Sequence, residues 1–497
     1  MEADICLILE GTYPYVSGGV SSWVHRLIQL FPEYKFTLLY IAPKRNTYQE
    51  YKYEVPENVK GLHEVYIYED FLEPHFSPKN WKSKLEKVES AYLLLLENPK
   101  EGLKALVEVF EKEKISPYHI FCSYESYQKI VELYRMFQLQ VSFLYYFWTL
   151  RFIHTPLVHL MIAKIPSAKV YHTISTGYAG FLGSLCAIKT GRPLLLTEHG
   201  IYAKEREMEI DRSPWILDEQ ELQIRGRTFF RNWWIQFFKN LSRITYTFSE
   251  KIITLYEGNQ RLQIQDGAPK EKLKIIPNGI NLEAYGKFSP KKFSPQETFG
   301  IALIGRVVPI KDIKTFIQAI RILKTYSIKF QAYIIGPYDE DPEYYQECRM
   351  MVKILNLQKE ILFTGRQNIL EYFPKIHLSV LTSISEAQPL VVLETGAAGI
   401  PSIVTDVGAC REMVEGRTFE DNALGPSGIV TSIANPGEIA KAIYYLYSHP
   451  QVYQRMAKAA QKRVFQFYNE EGFRKEYLEI YQKYLSNDLK IDKKRFH

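Results

Sequence analysis

The sequence predicts an α/β protein of two Rossmann-like domains in tandem, and three observations carry that prediction. The chain opens as strand, glycine-containing loop, helix and strand. Its second half repeats near-continuous apolar strands between amphipathic helices, the pattern of a parallel sheet covered on both faces. And 497 residues exceed what a single hydrophobic core serves.

The opening strand is Ile5 to Leu9, running into Glu10-Gly11-Thr12-Tyr13-Pro14 and then the loop Ser17-Gly18-Gly19. Val20, Trp23, Val24, Leu27, Ile28 and Phe31 recur at helical spacing, and a second strand follows at Phe36 to Ile41. From about 44 to 164 the pattern is irregular and aromatic-rich, and it reads as a mostly helical insertion in the first domain. Its greasiest part, Val141 to Ala163, is broken by Arg151, His154, Pro156 and His159, so it reads as a buried helix pair, or alternatively an interfacial helix, and not a spanning one. Alternation resumes with the strand Lys169 to Ile174, a helix through Phe181 to Ala187, and the strand Leu194 to Thr197 ending in Glu198-His199-Gly200. A charged stretch, Lys204 to Arg212, with Trp215 leads into a helix carrying Phe229, Phe230, Trp233 and Trp234. The strand Lys274 to Ile276 ends at the breaker turn Pro277-Asn278-Gly279-Ile280.

Polar composition between Tyr285 and Thr298 sets the expected boundary: residues 1–285 for the first domain and 286–467 for the second, with 468–497 expected to return to the first. Strands of the second domain read at Ile301 to Ile304, Ala332 to Ile335, Ile361 to Phe363, Leu378 to Leu381, Ser402 to Val404 and Ile429 to Val430. Ile313, Phe316, Ile317, Ile320 and Leu323 mark the clearest helix face. In such sheets ligands bind at the carboxyl ends of strands, which is where chemistry is sought.

Composition narrows the classes. Apolar content of 46% and charged content of 24% describe a globular chain, and a net charge of +6 from scattered residues gives no nucleic-acid footprint. The one basic run, Lys490 to Arg495, reads as a solvated helix end. Five widely spaced cysteines without a CxxC or Cys/His cluster argue against a disulfide framework or a zinc site and for a reducing compartment. The N-terminal residues show no basic segment followed by an apolar one, so no signal peptide is expected. No GxGxxG follows the first strand and no acidic residue stands at the expected later spacing, which argues against a nicotinamide or flavin enzyme.

Four stretches carry candidate chemistry. In Ser385 to Gly396, Pro389 suits a first helical residue, placing Glu386 in the loop before the helix and Glu394 within it. No Lys or Arg stands three or four residues from Glu394, so its carboxylate must find another partner: sugar or ribose hydroxyls, or a salt bridge from another element. In Gly305 to Asp312, Arg306 sits at a strand end and Lys311 precedes a helix that Asp312 caps, a pair of cations suited to a diphosphate or, more plainly, two exposed loop charges. Gly18-Gly19 allows close backbone approach at the first helix, as it would in any tight turn. His199 stands at a strand end, a place more often structural than catalytic. Asp339-Glu340-Asp341 spells a metal-nucleotide motif of another fold, yet its position after a strand suits a helix cap instead.

Together these stretches resemble the retaining GT-B glycosyltransferases of family 4, whose hallmark is E-x7-E, here Glu386 and Glu394, preceded by G-R-x4-K, here Gly305, Arg306 and Lys311. The resemblance implies two facing Rossmann-like domains with an elaborated N-terminal one. It implies that Arg306 and Lys311 grip a donor diphosphate, that Glu394 holds ribose hydroxyls and Glu386 sugar hydroxyls, and that backbone amides around Ala387, Gln388, Pro389 and Leu390 help place the donor, Pro389 itself having no N–H to give. Gly18 and Gly19 would approach the donor from the other domain, and His199 would face the sugar beside the anomeric centre. The implied reaction is metal-independent transfer from a UDP-sugar to a growing extracellular polysaccharide, without a cofactor. It would run at the cytoplasmic face of the membrane with partners in an inner-membrane synthase complex. Two rivals share the fold: a UDP-sugar 2-epimerase, and a non-catalytic nucleotide-binding subunit of such a complex.

Overall fold

The structure, a computed structural model, describes residues 2–47, 50–69, 80–136, 142–213, 216, 229–290, 292–294 and 297–486. Trp215, the run Lys490 to Arg495 and the end of the expected C-terminal helix lie outside the described residues. The chain divides into two compact units, one of Met1–Thr254, Gln260–Lys274 and Glu479–His497, the other of Leu255–Asn259 and Ile275–Leu478. Each is a Rossmann-like α/β unit built on its own sheet.

The first sheet contains β1 (Ala3–Glu10), β2 (Phe36–Ala42), β3 (Val59–Tyr66), β4 (Ala168–Thr173), β5 (Leu194–Glu198), β6 (Ser249–Thr254) and β7 (Leu273–Ile275). Their order is β3-β2-β1-β4-β5-β6-β7, and β3 through β6 pair in parallel. β1 and β2 are apolar and buried along nearly their whole length because helices cover both faces. Helix Gly19–Leu30 turns Trp23, Val24, Leu27 and Ile28 inward, as their spacing requires.

One sequence reading of this unit needs correction and two need completing. The insertion at 44–164 is not helical throughout: β3 falls inside it, an edge strand whose exposed Lys60, His63 and Glu64 hide the apolar pattern that would have marked it. The charged stretch Lys204 to Arg212 is itself a helix, Tyr202–Arg212. Val141 to Ala163 is one helix, Phe143–Met161, and not a pair; Pro156 is accommodated inside it, with Ile153 and Val158 inward and Leu144, Trp148 and Phe152 exposed. Among the described residues, no helix is long and apolar enough to cross a membrane.

The second sheet contains β8 (Phe299–Ile304), β9 (Phe330–Ile335), β10 (Ile361–Gly365), β11 (Leu378–Leu381), β12 (Ser402–Thr405) and β13 (Gly428–Thr431). All six are parallel, in the order β10-β9-β8-β11-β12-β13. Helix Ile313–Leu323 packs Ile313, Phe316, Ile317, Ile320 and Leu323 fully into the core. Each such side chain contributes roughly 1.5–3 kcal/mol of burial, which fixes the helix and the loop that feeds it.

Candidate functional site

In the second sheet the chain works outward from β8 through β9 to β10, then returns to β8's other edge with β11. The loops after β8 and β11 therefore part at a switch point, where a crevice opens at the carboxyl ends of the strands. Hydrogen bonds fasten these loops to each other: Thr382 Oγ1 donates to the carbonyls of Lys311 (2.8 Å) and Asp312 (3.0 Å), and the Ile384 amide to Ile310 (2.9 Å). Asp312 caps helix Ile313–Leu323 by accepting from the Thr315 amide at 3.2 Å. Lys311 and Glu386, 75 residues apart in sequence, are thereby brought into an ion pair, and Ser383 Oγ donates to the same Glu386 oxygen at 2.6 Å. Their side chains are only 19% and 13% exposed, so the pair is weakly screened.

The loop bearing Glu386 is held from three sides. The Ala409 amide donates to the Ala387 carbonyl (2.8 Å), and the Asn278 amide to Gln388 Oε1 (2.6 Å). Gly408, at φ +52°, packs against the loop so closely that a Cβ would lie 2.0 Å from the Glu386 carbonyl oxygen. Pro389 is the residue before the first turn (ψ 114°) and not the first helical residue; the helix is Leu390–Ala397, and no side chain caps it. The Val392 amide donates to the Pro389 carbonyl at 3.1 Å, which leaves the Leu390 and Val391 amides to an anion.

Glu394 lies in that helix, largely buried, and burial pushes its carboxyl above the usual range. No hydrogen bond or ion pair satisfies it among the described residues; Tyr285 stands nearby, its phenol pushed up by burial and further by the Glu394 carboxylate. The salt bridge open on sequence grounds is absent among those residues. Arg306, at the end of β8, pairs with Glu340, each about half exposed (49% and 50%). Asp341 caps helix Pro342–Ile354 through the Tyr344 amide at 3.0 Å. Among the described residues, no cluster of three or more His, Cys, Asp or Glu side chains is placed to hold a metal.

In the first unit the switch point lies between β1 and β4. Gly18 precedes and Gly19 begins helix Gly19–Leu30, with open space where either Cβ would stand. His199 follows β5, half-buried, its ring edge-on to Trp23 with centroids 4.6 Å apart. Burial pushes its imidazole down to about 4, so it is neutral at physiological pH.

Sequence reasoning did not single out Asn278, Ser383, Gly408 or Glu340 for these contacts. Asn278 was visible only as a turn residue, and Glu340 only as the middle of a misleading acidic triplet.

Residues 3–271 match the family described as "Domain of unknown function (DUF3492)", and residues 286–463 the one described as "Glycosyl transferases group 1". Among curated proteins, the chain is 24% identical over 261 residues to an N,N'-diacetylbacillosaminyl-diphospho-undecaprenol alpha-1,3-N-acetylgalactosaminyltransferase of Campylobacter jejuni, across 50% of this chain and 64% of that one. It thus covers less than two thirds of that relative's length. Among solved structures, HepE of Anabaena in complex with UDP superposes with a TM-score of 0.59 at 14% identity, over 97% of this chain and 100% of that one. Sucrose-phosphate synthase of Thermosynechococcus elongatus gives 0.57 at 15%, over the same shares of 97% and 100%. At such identities the likeness is one of fold: two parallel-sheet Rossmann-like domains of the GT-B class.

Proposed function

The chain belongs to the DUF3492 family, with a group 1 glycosyl transferase region behind the family's own, and from that premise we propose that it is a retaining glycosyltransferase that moves a sugar from a UDP-sugar donor. The observation that carries this reading is the meeting of Lys311, Glu386 and Ser383 at the switch point of the second sheet, beside an uncapped helix N-terminus. Cations and helix amides there neutralise charge on a departing nucleotide, so the reaction needs no metal. Glu386 then serves the sugar hydroxyls, Glu394 the ribose, and Ala387 to Leu390 the phosphate through their backbone. Gly18, Gly19 and His199 act from the first unit, with neutral His199 beside the anomeric carbon. The UDP held by HepE supports a uridine donor.

The acceptor we assign is a growing exopolysaccharide of the Pel type, made at the inner face of the cell membrane with membrane-bound synthase partners. Resemblance to the Pel-polysaccharide glycosyltransferase PelF supports it, through Glu10-Gly-Thr-Tyr-Pro-Tyr, Gly18-Gly-Val-Ser-Ser-Trp-Val, Thr197-Glu-His-Gly-Ile-Tyr and Gly336-Pro-Tyr-Asp-Glu-Asp-Pro-Glu-Tyr.

Incubating the full chain with UDP-glucose, UDP-galactose, UDP-N-acetylglucosamine and UDP-N-acetylgalactosamine, in EDTA, tests the reading. UDP release from one of them is the expected result. An epimerase would instead convert the sugar without releasing UDP, and a binding subunit would hold the nucleotide without turnover. Activity lost in EDTA and restored by magnesium or manganese would sink metal independence and return Asp339 and Asp341 to the site.

Glu394→Gln separates ligand from structure at the ribose. Hydrogen bonds to a charged group contribute about 1.5–3 kcal/mol, so UDP affinity should fall on the order of 10–100-fold by calorimetry. Thermal stability should not fall, because a buried carboxylate that lacks a partner among the described residues is being neutralised. Unchanged UDP affinity would assign Glu394 to the fold.

A further inference from the structure

We infer that Glu198 is a positioning residue for His199, its buried side chain fixing the strand-end turn that carries the imidazole. The inference rests on the glycosyl-transfer reading, in which His199 faces the donor sugar.

Glu198 is the last residue of β5 and is 1% exposed. One carboxylate oxygen accepts from Thr176 Oγ1 (3.0 Å) and from the Tyr202 amide (3.2 Å). The other accepts from Tyr246 Oη (2.8 Å) and Gln263 Nε2 (2.9 Å). These donors come from the segment after β4, the start of helix Tyr202–Arg212, helix Phe229–Phe248 and helix Glu257–Gln265. The Glu198 carbonyl meanwhile accepts from Thr254 Oγ1 of β6 at 3.1 Å.

The Tyr202 contact matters most. It closes a ring in which one side chain ties both ends of His199-Gly200-Ile201, so the turn has no independent freedom. None of the four donors carries a charge. A buried carboxylate with no counter-cation among the described residues is a costly way to join elements that neutral groups could join, which points away from stability as its purpose.

Proton bookkeeping favours the ionised form. The Tyr202 amide can only donate, so a proton on Glu198 must be given to Tyr246 or Thr176, reversing a hydrogen bond, or to Gln263 Oε1, turning that side-chain amide over. Burial pushes the Glu198 carboxyl up to about 7, which places this change within the working range. The titratable groups around it are set elsewhere. Tyr202, also bound to Glu10, and Tyr246, near Asp266, are phenols raised far above their range. Glu205 and Arg206 follow on Tyr202's helix, both raised, while His199 and His172 are lowered to about 4 and 3. The sign for stability is opposite to that for turnover. A carboxyl raised in the folded state contributes stability fully present below its ordinary value and lost as pH rises through about 7. Turnover, needing the ionised cradle, should rise across the same interval.

The test is UDP release by the full chain from whichever UDP-sugar of the four is consumed, measured across pH for wild type, Glu198→Gln, Tyr246→Phe and His199→Ala. Misplacing a reacting group by about an ångström costs on the order of 10²-fold in rate. Glu198→Gln is therefore expected to lower kcat by up to that factor with donor KM little changed, to abolish the acid limb near pH 7, and to flatten the fall of melting temperature over that range. Tyr246→Phe removes one donor and should move the limb to higher pH; it decides the matter alone if Glu198→Gln does not fold, an unmoved limb overturning the inference. His199→Ala impaired while Glu198→Gln keeps wild-type kcat and limb would overturn the inference and leave the site reading standing. Normal turnover in His199→Ala would overturn both.

Discussion

Lys311→Ala lowers the turnover number on the order of 10²–10³-fold, the cost of removing one preorganised group that stabilises developing negative charge. The diphosphate gains charge as the glycosidic bond breaks, so a cation facing it binds the transition state more strongly than the ground state, the condition for raising kcat. Arg306→Ala should lose turnover comparably, yet the two variants should differ in stability. Arg306 meets Glu340 at the surface, where ion pairs contribute little. Lys311 is the partner of a mostly buried Glu386, and its removal leaves that carboxylate, among the described residues, with Ser383 alone. Thermal melting should therefore fall for Lys311→Ala and barely move for Arg306→Ala. The exposed Lys353→Ala serves as control and should change neither quantity. A folded Arg306→Ala enzyme with wild-type kcat would remove the diphosphate grip, and with it the main reason to place chemistry at this switch point.

The second large effect is structural. Arg463, on helix Pro450–Phe467, is 1% exposed and pairs with Asp421, itself 2% exposed. Its guanidinium also donates to the carbonyls of Val414 (2.6 Å), Gly425 (2.9 Å) and Asp421 (3.1 Å), and to Ser427 Oγ (2.8 Å). It thereby staples the segment 414–427, which continues from the Gly408 turn packed on the Glu386 loop. Removing one partner of a buried pair costs about 3–5 kcal/mol. For a unit of this size Arg463→Met should lower the melting temperature by roughly 6–20 °C. Adding Asp421→Leu should recover much of that loss, because the stranded carboxylate goes with its partner. A single variant that melts like wild type would show the staple to be dispensable.

What the sequence determined by itself was whatever depends on local pattern. The apolar runs of β8, β9 and β11 fixed a parallel sheet, the spacing of Ile313, Phe316 and Ile320 fixed a helix, and Asp312 and Asp341 announced its cap and the next one. The spacing of Gly305, Arg306 and Lys311 against Glu386 and Glu394 marked the candidate site before any fold was known. Two strands escaped because their signals are weak: β3 exposes Lys60 and Glu64, and β6 follows helix Phe229–Phe248 without a breaker. Tertiary structure alone decided which charges meet. Lys311 lies 75 residues from Glu386, and Glu198 draws donors from positions 176, 202, 246 and 263. Whether a carboxylate meets a cation, a ring of uncharged donors or, like Glu394, no partner among the described residues depends on which strand ends the sheet order places side by side. That order is set by packing across the whole unit, which no local pattern encodes.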